Sequence, residues 1–287
     1  MQNDILTRLG AENRRFSKSH RSIARYIAEN YDKAAYMTAG KLGRTVGVSE
    51  STVVRFAMEL GYDGYPEMRK ALQEAVRNRL TSVQRIAASR ELMDGQSVLK
   101  SVVSADMDKL RVTLEGMEQE SFDRAVDRIM EARDLYILGM RSSSALASFM
   151  GFYLNYLMDN VRVINDSKGG EVYEQMLRIS AEDVLFCISF PRYTSNSLSA
   201  ARFAKEHGAR IIALTDNHAS PFAKLADTVL YAKSDMVSFL DSLVAPMSVI
   251  NAIIIAIASR RQGTLDATFG KLEALWEEYG VFTTGES

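Results

Sequence analysis

The chain has 287 residues, of which 47% are apolar and 25% charged, a balance that excludes disordered and fibrous classes and allows two domains with a core each. The net charge of −1 conceals an asymmetry: residues 1–80 hold 14 Lys and Arg against 9 Asp and Glu, a balance of +5, while residues 81–287 carry −6. One cysteine and three histidines provide neither an intrachain disulfide nor a metal-ligand cluster, and Cys187 inside the apolar run Val184–Phe190 reads as a buried inert thiol in a reducing cytoplasm.

The first eighty residues read as helices only. Ser17 or Ser19 caps a helix carrying Ile23, Tyr26 and Ile27. Thr38 caps a second, short helix with Leu42 and Val46 as its apolar positions, and Gly47 supplies a left-handed turn. Ser49 caps the next helix, in which Val53, Phe56, Ala57 and Leu60 form one buried stripe at i, i+3, i+4 and i+7. That leaves Glu50, Ser51, Thr52 and Arg55 facing outward around a helix N-terminus, where a recognition helix presents side chains to base edges. Pro66 opens a basic helix through Leu80.

The segment from Gly47 onward, GVS then TVVRF then LGYDGY then a basic stretch, resembles the N-terminal DNA-binding domain of the RpiR family of bacterial regulators, with further agreement at Ser22–Tyr31. The resemblance implies an operator in double-stranded DNA. Arg55 and Ser51 are then the candidate base contacts, with Glu50 for cytosine, and Thr38, Lys41, Ser49 and Thr52 position the helix on phosphates.

Residues 81–120 continue as a helical, mixed-charge connector, with a turn at Gly95 and Ser97. From Asp134 strands alternate with helices: Leu135–Leu138, Val161–Ile164, Val184–Phe190, Arg210–Asp216 and Thr228–Ala232 are the five strands, and an apolar helix begins at Ala145. The pattern predicts an all-α helix-turn-helix domain over residues 1–80, the connector, and over 121–287 a three-layer α/β domain with a parallel five-stranded sheet. Leu243–Ala258 is shorter than the ~20 apolar residues of a membrane span and reads as a buried helix, with a subunit interface as one expected setting. No membrane partner is expected.

Ligands of such a sheet bind beyond the carboxyl ends of its strands. The loop Gly139-Met140-Arg141-Ser142-Ser143-Ser144 offers three hydroxyls and several N–H groups at a helix start, which suits a phosphate. The loop Ser189-Phe190-Pro191-Arg192-Tyr193-Thr194-Ser195-Asn196 adds hydroxyls, an amide and a guanidinium, whereas Thr215-Asp216 and Ser220-Pro221 read as turn and cap chemistry. GMRSSSALAS, ISFPRYTSN and IALTDNHASPFAKLAD look like the sugar isomerase (SIS) domain, a phosphosugar-binding module, over roughly residues 125–260. The resemblance places Ser142, Ser143 and Ser144 in its first phosphate loop and Ser189 and Ser195 in its second, and implies a homodimer or homotetramer without a cofactor. Phe190-Pro191-Arg192-Tyr193 departs from the glycine-bearing second loop common in that domain. Either Arg192 replaces the lost N–H groups as anion contact, or the ligand is not a phosphosugar.

Two functions follow as expectations. The first is a metabolite-controlled transcription regulator. The second is a phosphosugar isomerase, whose base would come from Glu171, Glu174, His207 or His218; none of these joins an acid–base constellation in the sequence.

Overall fold

Ser17 accepts the His20 N–H at 3.2 Å and starts helix α1, Lys18–Glu29, in the computed structural model of the chain. The structure describes Ile5, Leu9 and residues 16–77, 83, 84, 86, 97–164, 171–235 and 240–282. These separate into two compact units dividing at Ser101–Val102, with Leu240 falling in the first.

In the first unit α2 (Tyr31–Ala34), α3 (Ala39–Val46), α4 (Glu50–Glu59) and α5 (Tyr65–Arg77) follow α1. The starts of α3 and α4 are capped as their side chains allow: Thr38 accepts the Lys41 N–H and Ser49 the Thr52 N–H, both at 3.2 Å. Gly47 ends α3 at φ +78°, and the Val48 N–H returns to the Gly43 carbonyl at 2.8 Å, a Schellman-type closure. Gly61 repeats the device at φ +80°, with the Tyr62 N–H on the Ala57 carbonyl at 3.1 Å. Val53, Phe56, Ala57 and Leu60 are fully buried with Ile23, Ile27, Leu42 and Met68. At about 1.5–3 kcal/mol for each large side chain, that burial far outweighs any single cap. Helix α5 begins one residue before Pro66, and Leu80 lies outside the described residues. Gly95 does too, as does most of the stretch 81–96.

Helix α6 (Val98–Gly116) begins before the division and runs from Val102 in the second unit, where it and α7 (Gln119–Glu131) precede an alternating pattern of β1 (Leu135–Gly139), α8 (Ser143–Leu154), β2 (Val161–Ile164), α9 (Glu171–Gln175), β3 (Val184–Ile188), α10 (Ser195–Glu206), β4 (Arg210–Thr215), β5 (Thr228–Tyr231), α11 (Val244–Arg260) and α12 (Gln262–Glu278). All five expected strands form, and every pairing is parallel in the order β2-β1-β3-β4-β5. Alternate residues serve opposite faces: Ile137, Phe186 and Ile212 pack with α7, α8 and α11, whereas Leu138, Cys187 and Ala213 pack with α9 and α10. Cys187 is buried, and burial pushes its thiol well above the ordinary range.

Several boundaries differ from those expected of the sequence: β4 ends at Thr215 rather than Asp216 and β5 at Tyr231 rather than Ala232. Helix α8 starts at Ser143 rather than Ala145, so two serines lie in its first turn. Strand β3 ends at Ile188, leaving Ser189 and Phe190 to the loop, and β1 runs one residue further to Gly139. Helix α11 is buried along one face only, through Ala245, Val249, Ile250, Ile253 and Ile257; Ser248, Asn251 and Ile255 are exposed. No single helix among the described residues is long and apolar enough to cross a membrane.

Tyr65 locks α5 to the entry of α3, donating its hydroxyl to the Met37 carbonyl at 2.9 Å. Burial, moderated by the Arg69 charge, raises its pKa to about 12. The folded phenol therefore keeps its proton where the unfolded one, near pH 10, loses it. Stability from this group is full below pH 10 and falls as pH rises toward about 12. Tyr65→Phe is expected to cost about 0.5–1.5 kcal/mol at neutral pH and to flatten alkaline unfolding over that window, as urea titrations at pH 8 to 12 would show.

Candidate DNA-binding and effector sites

Helix α4 presents Glu50, Ser51 and Arg55 to solvent and its buried stripe to the core, so its outer face and N-terminus are open to a groove. Helix α1 braces the rear: Phe16 and His20 pack edge-on against Phe56, with centroids 5.4 and 5.5 Å away, and the His20 ring bonds the Glu59 carboxylate. Ser49 Oγ lies 2.9 Å from Ser51 Oγ and 2.8 Å from Thr52 Oγ1, so three hydroxyls gather at the helix start. The Arg55 Nε donates to the Ser51 carbonyl at 3.4 Å, which leaves the guanidinium projecting from the outer face. Thr38 and Lys41 are exposed at the start of α3, and Thr52 is half-buried.

Glu50 is placed differently from a free base reader. A Cβ built on Gly40 would meet its Oε2 at 3.0 Å and Arg44 Nη1 at 3.6 Å, so the carboxylate lies back over α3. Arg44 is exposed one turn after Lys41, a further basic group that the i, i+3 spacing alone marks. Gly43 explains the tight corner: a Cβ there would stand 2.8 Å from the Val48 carbonyl oxygen.

In the second unit the strand order reverses between β1 and β3, and parallel sheets place their ligands at that switch point. Both singled-out loops leave the sheet here. Gly139 is paired with Ile188, so the loops start level. The two residues other than glycine with positive φ among those described are Arg141, at 55°, and Arg192, at 64°. Such backbone is unfavourable for a residue with a Cβ, and it concentrates at functional sites. Each arginine thus sits at the strained corner of one loop.

Ser142 precedes α8 with its hydroxyl uncommitted to a cap; Ser143 is buried in the first turn; Ser144 donates to the Arg141 carbonyl at 2.6 Å. One N-cap serine, the minimal structural need, is thus not what the three are doing. In the second loop Ser189 is buried, its N–H on the Leu214 carbonyl at 3.1 Å, while Arg192, Ser195 and Asn196 are exposed. Thr194, not Ser195, caps α10, accepting the Ser197 N–H at 3.2 Å. Its hydroxyl also donates to Met140 Sδ at 3.6 Å, and this contact ties the second loop to the first.

Tyr193 does not present a free hydroxyl to this cleft. It donates to Asp216 Oδ1 at 2.5 Å and stacks near Phe222, with centroids 6.1 Å apart. Asp216 is 1% exposed and also accepts the Asn217 side-chain N–H at 2.5 Å. The turn chemistry expected at Thr215 and Ser220 is present, with the Thr215 hydroxyl on Ser220 Oγ at 2.9 Å. Asp216 holds the second loop, a role beyond the turn chemistry expected of it; an acid at a buried strand end is the signal that points there.

The candidate bases do not assemble. His207 caps the far end of α10, its Nδ1 2.8 Å from the Phe203 carbonyl. His218 stacks on Tyr231, with centroids 4.2 Å apart, and Glu171 and Glu174 sit on the five-residue α9. Among the described residues no cluster of three or more metal-ligating side chains forms.

A helix-turn-helix unit with an exposed second helix, joined to a doubly wound α/β unit with two loops at its switch point, defines a class: DNA-binding regulators carrying a sugar-isomerase-type domain. The family comparison agrees. The helix-turn-helix domain of the rpiR family matches residues 3–79 and the SIS domain matches residues 128–256, and the chain belongs to the rpiR family of helix-turn-helix transcription regulators. It is 25% identical over 265 residues to the HTH-type transcriptional regulator HexR of Escherichia coli (strain K12), spanning 90% of this chain and 89% of that protein. Among solved structures it resembles the sugar isomerase domain of an RpiR transcription factor from Sphaerobacter thermophilus, at TM-score 0.60 and 28% identity, over 62% of this chain and 99% of that one. The fold of Vibrio vulnificus NanR, solved in complex with ManNAc-6P, aligns at TM-score 0.58 and 22% identity over 94% of this chain and 97% of that one.

Gly139 is the residue that lets strand and helix meet in this cleft: a Cβ there would lie 2.4 Å from the Ser143 carbonyl oxygen. Gly139→Ala must push α8 off the end of β1, at an expected cost of about 1–3 kcal/mol or more. Denaturant unfolding of the second unit measures it; a loss below about 0.5 kcal/mol would show that the loop yields freely.

Proposed function

We propose that this regulator binds operator DNA through α3 and α4 and that a phosphorylated sugar, held between the loops after β1 and β3, sets its affinity for DNA. The observation that carries the effector half is the meeting of two strained arginine corners and the α8 serine turn at the sheet's switch point. Backbone N–H groups and hydroxyls of that turn suit a dianionic phosphate, which the helix dipole favours further. Arg192 takes the role of the backbone N–H that Pro191 lacks, in a second loop that the bulky Phe190 and Tyr193 keep from wrapping an anion closely. In the NanR structure a phosphosugar accompanies the same fold, which supports the choice of ligand class.

On the DNA side, Arg55 and Ser51 read bases while Thr38, Lys41, Ser49 and Thr52 meet phosphates; Glu50, turned back toward Gly40, orders the corner instead. Two copies of the chain, paired through their SIS domains, place two recognition helices on a roughly palindromic site in the cytoplasm. Isomerisation is not part of this reading, because the cleft gathers hydroxyls and guanidinium groups and His207 and His218 are spent on a helix end and a ring stack.

Two measurements decide it. Thermal melting against glucose, fructose, mannose and N-acetylmannosamine 6-phosphates, with the free sugars as controls, should show a rise only with phosphorylated compounds; saturation near 100 times the dissociation constant adds about 2.7 kcal/mol. Ser143→Ala should weaken that response and leave effector-free DNA binding intact. No response to any phosphorylated sugar would sink the ligand class. Arg55→Ala should cost about 1–3 kcal/mol of operator binding and relax specificity; an equal loss on random DNA would make Arg55 a phosphate contact.

A further inference from the structure

Thr113, Thr215, Asp216, Ser220, Ser234 and Ser242, all buried, fall along one line at the carboxyl end of the sheet, and that line ends on α6. It starts at the effector cleft, where Tyr193 donates to Asp216. The neighbouring Thr215 bonds Ser220 through its hydroxyl and receives the Ala232 N–H on its carbonyl at 2.8 Å, beyond the last paired residue of β5. The next peptide donates the Lys233 N–H to Thr113 Oγ1 of α6 at 2.9 Å. A second contact runs beside it: the Ser234 carbonyl accepts the Ser242 N–H at 2.8 Å, and the Ser242 hydroxyl donates to Asp106 Oδ1 at 2.6 Å. The buried members run from 0% exposed for Thr215, Ser220 and Ser234 to 7% for Thr113, while Tyr193, Lys233 and Asp106 are half-buried.

Asp106 and Thr113 are seven residues apart on α6, two turns, so they share one face and grip the segment after β5 at two points. Buried polar groups are costly unless satisfied, and apolar side chains would seal the end of a sheet more cheaply. A satisfied polar line is instead stiff and directional. Each of its hydrogen bonds can be kept or broken as a unit, and transmission between sites requires an element of that kind. Helix α6 is also the element that leads the chain into this unit from the DNA-binding one.

We propose that the Tyr193–Asp216 bond, the ends of β4 and β5, and Thr113 with Asp106 form the relay by which the effector cleft controls α6 and hence the DNA-binding unit. The proposal rests on the effector reading above for the identity of the input, and adds the route. Ligand engagement at Arg192 moves its neighbour Tyr193; the bond to Asp216 passes that shift to β4; β5 and the Lys233 peptide deliver it to Thr113. Thr113 and Asp106 are positioning residues, remote from both ligands.

The first test contains no ligand. Hydrogen exchange of the full-length chain is compared for the wild type, Tyr193→Phe, Thr113→Val and the double variant. Breaking the bond at Tyr193 should speed exchange at Lys233 and in residues 98–116 by roughly fivefold or more, the low end of allosteric coupling. Thr113→Val should make α6 insensitive to the Tyr193 change, and Thr113→Ser, which keeps the hydroxyl, should restore the sensitivity. If Tyr193→Phe alters exchange only between residues 189 and 222 and leaves α6 at the wild-type rate, the relay is wrong.

The second test uses the four hexose 6-phosphates named above. Thr113→Val should show the wild-type melting shift with them and the wild-type DNA affinity without them, yet lose the change in DNA affinity on their addition. An undiminished change would overturn the proposal. Because the exchange experiment probes the relay without any sugar, failure of the relay and failure of the phosphosugar reading are distinguishable.

Discussion

Strands β1 and β3 are hydrogen-bonded neighbours in register, with Gly139 opposite Ile188, and the rest of the second unit depends on this pairing. The chain enters the sheet at β1, steps outward to β2, then crosses back to lay β3 on the other side. The two crossovers diverge from one point, which opens a crevice between them at the carboxyl end. Two loops emerge there side by side. Gly139 lets α8 start almost on top of the strand end, and the Thr194 hydroxyl touches Met140 Sδ, joining the two loops. The left-handed corners at Arg141 and Arg192 are the local consequence, since each chain must turn sharply within a few residues to enter a helix.

The first unit obeys a different constraint, the need to hold one helix firmly from behind while leaving its front bare. Two left-handed glycines, Gly47 and Gly61, end α3 and α4 at fixed angles. Gly43 lets the corner close on the Val48 carbonyl, and Tyr65 ties α5 back to Met37. The motif GVS…LGYDGY is thus in large part a set of backbone requirements: glycine where φ is positive, serine where a cap is due, tyrosine where a buried hydroxyl finds a carbonyl.

Local chemistry makes much of this legible in advance. Helix caps at Ser17, Thr38 and Ser49, the buried stripe of α4, and all five strands follow from periodicity and turn residues within a few positions of each other. Where sequence and structure part, a distant partner is responsible. Tyr193 has the chemistry of a ligand group, but its hydroxyl belongs to Asp216, 23 residues on. Glu50 has the chemistry of a base reader, and only the fold shows its carboxylate lying over Gly40 of α3. Thr113 and Lys233, 120 residues apart, and Asp106 and Ser242, 136 apart, carry no mark at all in the sequence.

By itself, then, the sequence determined the caps and buried stripe of the helix-turn-helix, the five strands and their order along the chain, and the residue types available at each strand end. These depend on interactions within a turn or two of chain, which spacing records directly. Tertiary structure alone decided which hydroxyls are taken up by partners, which loops face each other, and which arginines carry strained backbone. Those outcomes depend on the crossing order of a parallel sheet and on partners brought together by folding, and one residue's position in the chain holds no trace of a partner a hundred residues away.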